Sequence, residues 1–163
     1  MLGREAELEA LRHAYGESGR DQPVVMFISG ESGMGKSALV SAFLDELHWG
    51  QRAVVLAGRC HERENVPFKA FEALGDDLSR YLRKLPREQA AALLPREVSA
   101  LARLFPVLAR VPVVAEAPER NVEDPQELRR RAFEAFFELL ARIRYRRPLC
   151  IHIDDLPWAD QDS

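Results

Sequence analysis

The chain has 163 residues, 47% of them hydrophobic and 30% charged, with a formal net charge of −3. This is enough chain for one domain with a sizeable core, and its acidic balance supplies no global positive field for a nucleic-acid backbone. Direct nucleic-acid binding by this segment is therefore not expected. Cys60 and Cys150 offer no disulfide framework. The start Met1-Leu2-Gly3-Arg4-Glu5 lacks a signal-peptide core. No apolar run reaches the length of a membrane span, so a cytoplasmic protein without membrane contact is expected.

Taken in chain order, Arg4 to about Gly16 reads as a helix with Leu8, Leu11 and Ala14 on its apolar face. A polar break from Gly19 to Gln22 follows. Pro23-Val24-Val25-Met26-Phe27-Ile28 is a continuous apolar run that suits a strand covered on both faces. The glycine-rich turn Gly30–Gly35 leads into a helix to about His48, carrying Ala38, Leu39, Phe43, Leu44 and Leu47 on one side. Ala53–Ala57 reads as a second buried strand, completing a βαβ unit with a parallel sheet.

From Pro67 to about Leu104 the pattern is helical, with Pro86 and Pro95 suited to the first turns of new helices. Phe105 to Asn121 is apolar but broken by Pro106, Pro112 and Pro118, and reads as irregular. Asp124 is a natural N-cap, Pro125 fits the first helical position, and Glu127 stands where a capping-box acid belongs. Phe133, Phe136, Phe137, Leu140 and Ile143 would form the apolar face of that helix. Leu149–Ile153 is the third strand, ending in Asp154-Asp155.

Two motifs carry chemistry. The string Gly30-Glu31-Ser32-Gly33-Met34-Gly35-Lys36-Ser37 fits G-x-x-x-x-G-K-[ST]. Its glycines let successive N–H groups converge on a phosphate, and the following helix points its positive end at the same place. Lys36 supplies a full charge for the β and γ phosphates, and the Ser37 hydroxyl suits Mg²⁺. Position between a buried strand and an amphipathic helix is the context this motif requires. The second motif is the acidic strand end, at the sheet edge where ligands of open α/β sheets bind. Asp154 would hold Mg²⁺ directly or through water, and Asp155 would orient or deprotonate an attacking water. Two acids argue for hydrolysis, because passive binding needs only the metal ligand.

Leu2-Gly3-Arg4-Glu5 with Glu7-Leu8, then GESGMGKS, then IDDLPWAD, resembles the STAND-type, AAA-like P-loop ATPase modules of bacterial signalling proteins. The similarity is nearest to modules fused to serine/threonine protein kinases, and extends to those fused to adenylate cyclases and LuxR-type regulators. It covers essentially the whole chain. The resemblance implies ATP and ADP as ligands, Mg²⁺ as cofactor, slow hydrolysis used as a switch, and effector domains on the same polypeptide as partners. It also makes Gly3 and Arg4 neighbours of the base or ribose. Pro157 departs from the family, whose members commonly have Gln there.

The expected fold is an α/β P-loop NTPase, a parallel sheet with helices on both faces and a helical insert before the third strand. Residues 1–22 would form the Gly-Arg-Glu segment and first helix, 23–60 the P-loop core, 61–148 the insert, and 149–163 the acidic strand and following loop. The family has further strands, one bearing a γ-phosphate sensor, and a helical lid. By resemblance, residues 1–163 would be the front of a larger module, weak or inactive alone and prone to self-association. Other residues take plain structural readings. Cys60 and His61 lack a second metal-binding pair, His152 packs in a strand, and Arg129-Arg130-Arg131 form a solvated helix face. Trp158 either packs over the site or forms interface surface. Two rival functions stay open, another P-loop enzyme (a small-molecule kinase or a GTPase, though no Asn-Lys-x-Asp motif occurs) and a non-catalytic nucleotide-held scaffold.

Overall fold

A computed structural model describes residues 3–18, 23–50, 52–59 and 69–154 as two compact units, Met1–Val54 and Val55–Ser163. The expectations placed on Cys60, His61, Asp155, Pro157 and Trp158 fall outside these residues.

In the first unit α1 (Glu5–Glu17) packs on α2 (Lys36–Trp49). Leu11, Leu39, Val40, Phe43 and Leu47 are buried, and the Tyr15 and Phe43 rings meet edge to face at 6.2 Å. Arg12 clamps the pair, donating to both Glu46 carboxylate oxygens at 2.9 and 2.7 Å. Helical spacing fixed most of this face, although Ala38 turns out exposed and Val40 takes the buried place.

The segment 23–28 corrects the sequence reading. It forms no strand, and Val25 and Phe27 are 72% and 82% exposed. Composition meets only the side-chain requirement of a strand. The backbone must also find a ladder partner, which is a non-local condition, and none pairs with 23–28 among the described residues.

In the second unit β1 (Val54–Arg59) and β2 (Leu149–Asp154) form a parallel two-stranded sheet. Between them run α3 (Lys69–Lys84), α4 (Arg87–Ala91), α5 (Val98–Leu104), a 3₁₀ helix (Pro106–Arg110), α6 (Pro112–Ala115) and α7 (Pro125–Arg146). The stretch read as irregular thus holds two short helices, each started by a proline, Pro106 or Pro112, whose missing N–H costs nothing in a first turn. Pro86 sits at the N-cap of α4 rather than inside it, and Pro95 precedes α5 by a turn.

Helix α7 is the spine of this unit. The Asp124 carboxylate accepts from the Gln126 N–H at 3.0 Å, and Pro125 opens the helix. The capping box is not completed, because Glu127 is engaged by Arg130 and Arg131 instead. The buried stripe is Ala132, Ala135, Phe136, Leu139, Leu140 and Ile143, whereas Phe137 lies 60% exposed. Phe136 meets Phe71 and Phe105 at 5.8 and 5.7 Å. Arginine side chains brace the helix ends: Arg142 donates to the Leu94 carbonyl, Arg146 to that of Gln89 and Arg103 to that of Val122. Strand β2 is only partly covered, with Ile151 42% exposed.

Candidate functional site

The loop 30–37 shows why its sequence is glycine-rich. Gly33 and Gly35 have φ of +81° and +74°, a region that costs other L-residues strain. Gly35 is the N-cap of α2 and no side chain caps that helix. Its first N–H groups, from Lys36 onward, therefore point out of the helix without an intrahelical acceptor, at the positive end of the dipole. This is an anion cradle made of backbone, and Ser37 stands exposed on its first turn.

Lys36 is already at the loop. Its Nζ donates to the Gly30 and Glu31 carbonyls at 2.7 and 2.9 Å, and its stem passes over Gly30, 3.7 Å from where a Cβ would stand. An ammonium has three donors, so one remains for a phosphate while two hold the loop. The Met34 N–H turns back toward the Glu31 carbonyl at 3.4 Å, while Ser32 and Gly33 form the turn itself.

Sequence reasoning missed how the Gly3-Arg4-Glu5 segment joins this loop. Gly3 adopts φ +91°, and its N–H is held by the Glu5 carboxylate at 3.0 Å. That turn directs the Arg4 guanidinium to the Met34 carbonyl. The structure thus brings Arg4 to the P-loop backbone, where its guanidinium donates to the Met34 carbonyl.

Asp154 is the last residue of β2, half-buried, in the second unit. Beside it on the strand, burial lowers the His152 pKa, with the Asp154 carboxylate acting the other way, which favours the neutral, packed imidazole. Burial also raises the Cys150 thiol, an unreactive environment. Among the described residues no three His, Cys, Asp or Glu gather to hold a metal. Mg²⁺ does not require such a cage, since it keeps waters and takes one or two protein oxygens beside phosphate. Ser37 and Asp154 are donors of that kind.

The AAA ATPase domain family model matches residues 1–163. The chain belongs to the AAA ATPase domain family. A phosphate loop on a helix N-terminus and a parallel strand ending in an acid are what this family assignment requires of the fold. No curated protein and no solved structure matches the chain. Among the described residues of this AAA domain, no helix is long and apolar enough to cross a membrane.

Proposed function

We propose that this AAA domain binds ATP with Mg²⁺ and hydrolyses it slowly, as a nucleotide-dependent switch within a multidomain signalling protein. The observation that carries the reading is the uncapped N-terminus of α2, fronted by left-handed Gly35 and by Lys36. Backbone donors are aimed at an anion there, and no side chain competes for them. Mg²⁺ would neutralise phosphate charge, with the Ser37 hydroxyl as one ligand and the Asp154 carboxylate serving it directly or through water. Lys36 binds the β and γ phosphates, Arg4 steadies the loop through the Met34 carbonyl, and Asp155 orients or takes a proton from the attacking water. The switch role, with kinase, cyclase or DNA-binding effectors as partner domains, rests on the resemblance of the Gly-Arg-Glu start and IDDLPWAD segment to STAND modules.

Titration calorimetry with Mg-ATP tests the loop. Lys36→Ala removes charge-assisted contacts of about 1.5–3 kcal/mol, so affinity is expected to fall by at least tenfold, and equal dissociation constants overturn the assignment. Asp155→Asn is expected to keep binding while phosphate release stops. Binding without turnover in the parent-length protein would instead favour the nucleotide-held scaffold.

A further inference from the structure

A cleft lies in the helical unit, away from the phosphate loop in sequence. Helix α3 presents Asp76, Ser79, Arg80 and Arg83 at helical spacing along one face. The 3₁₀ helix presents Val107 and Arg110 across from them. Together these six side chains line a cleft of about 360 Å³, within the range of small-ligand pockets.

The cleft is built rather than incidental. Ser79 is only 3% exposed, and its hydroxyl donates to the Val107 carbonyl at 3.2 Å, tying the two walls together. Gly75 faces the same wall, where a Cβ would stand in ordinary contact with Phe105 and Val107 at 3.4–3.5 Å. Asp77 accepts from the Ala57 N–H of β1 at 2.9 Å and from Arg80 at 2.6 Å, so the sheet fixes where Arg80 stands. Arg83 and Arg110 make no ion pair or hydrogen bond among the described residues. Among the described residues, Arg80, Arg83 and Arg110 thus line the cleft with Asp76, Arg80 being already paired with Asp77, in a chain whose net charge is −3. The dipole of α3 accounts for Arg83 in its last turn. It does not account for Arg110, which comes from a different element.

We propose that this cleft binds a compact phosphate-bearing anion of the pyrophosphate or triphosphate class. Planar guanidinium forks match phosphate oxygens two at a time. Among the described residues the lining offers Val107 as its only apolar residue and no aromatic face, which favours neither a stacked base nor an apolar peptide anchor. The same phosphate chemistry is carried by free inorganic polyphosphate and by the phosphate tail of a nucleotide.

The test follows arginine Nε–Hε resonances by ¹⁵N NMR in the full chain carrying Lys36→Ala, with Arg83 and Arg110 assigned through R83K and R110K. Inorganic tripolyphosphate is expected to shift both resonances saturably. By titration calorimetry the R83A/R110A double variant should bind it at least tenfold more weakly, with the double lysine variant between, since lysine keeps charge but loses the fork. ATP moving the same two resonances at equal or lower concentration identifies the nucleotide tail as the source, and tripolyphosphate alone moving them identifies the free anion. Absence of saturable shifts, shifts reproduced by sulfate at equal ionic strength, or unchanged affinity in R83A/R110A overturns the proposal. Tighter engagement by an acidic peptide than by tripolyphosphate overturns the small-anion class. Because the shifts are read on chains that keep Arg83 or Arg110, failure of the double variant to fold leaves the test intact.

Discussion

Gly35 carries two duties at one backbone position. At φ +74° it closes the turn, and as N-cap of α2 it leaves the helix end bare. A methyl group there would meet nothing within 4 Å, so the obstacle to substitution is the dihedral and not space. Gly35→Ala is expected to cost about 1–2 kcal/mol if the loop keeps its shape. If the loop relaxes, the cost moves from folding to binding, because the N–H groups no longer converge. Thermal melting and Mg-ATP calorimetry on the same variant separate these outcomes. Unchanged melting and unchanged affinity together would show that the left-handed turn is dispensable. Lys36 was legible as the charge of the site from its motif alone. That it would rest on the Gly30 and Glu31 carbonyls was not, since a flexible ammonium takes whichever acceptors the folded loop supplies.

Among the elements, α7 shows what a sequence can specify locally. Its start is written in Asp124 and Pro125, and both act as expected. Asp124→Ala should cost about 1 kcal/mol, read as a lower urea midpoint with unchanged slope, whereas Asp124→Asn should cost much less. Equal loss in both variants would deny the side-chain cap. The face of the same helix was legible except at Phe137, where the one-residue drift between Phe136 and Phe137 places only the former under α5 and α3. Residues 23–28 show the opposite limit. Their β-branched, apolar run names a strand, but a strand exists only with a partner whose position no local pattern contains. The short helices at Pro106 and Pro112 were hidden for a related reason. Two turns or fewer give too few residues for a period to show. The cleft at Arg80, Arg83 and Arg110 depended on a contact between α3 and a 3₁₀ helix far along the chain, and so left no motif.

For the whole molecule, Val24 to Ile28 form, among the described residues, a continuous exposed apolar run, a departure from an ordinary soluble surface. An apolar segment with free backbone groups is a template for pairing with another chain. The melting temperature of the 163-residue chain is therefore expected to depend on its concentration. Replacing Val25 and Phe27 by threonine and serine should reduce that dependence. A melting temperature constant over a hundredfold concentration range would show that the run is harmless. The rest of the architecture leans on guanidinium groups. The braces from Arg103, Arg142 and Arg146 reach the backbone carbonyls of Val122, Leu94 and Gln89, while the chain's lysines are only Lys36, Lys69 and Lys84. Guanidinium stays protonated far into alkali, where an ammonium has already lost its proton. Amine-selective acylation therefore reaches the phosphate loop at Lys36, with Lys69, Lys84 and the terminal amine as its other targets, and passes over the arginine braces.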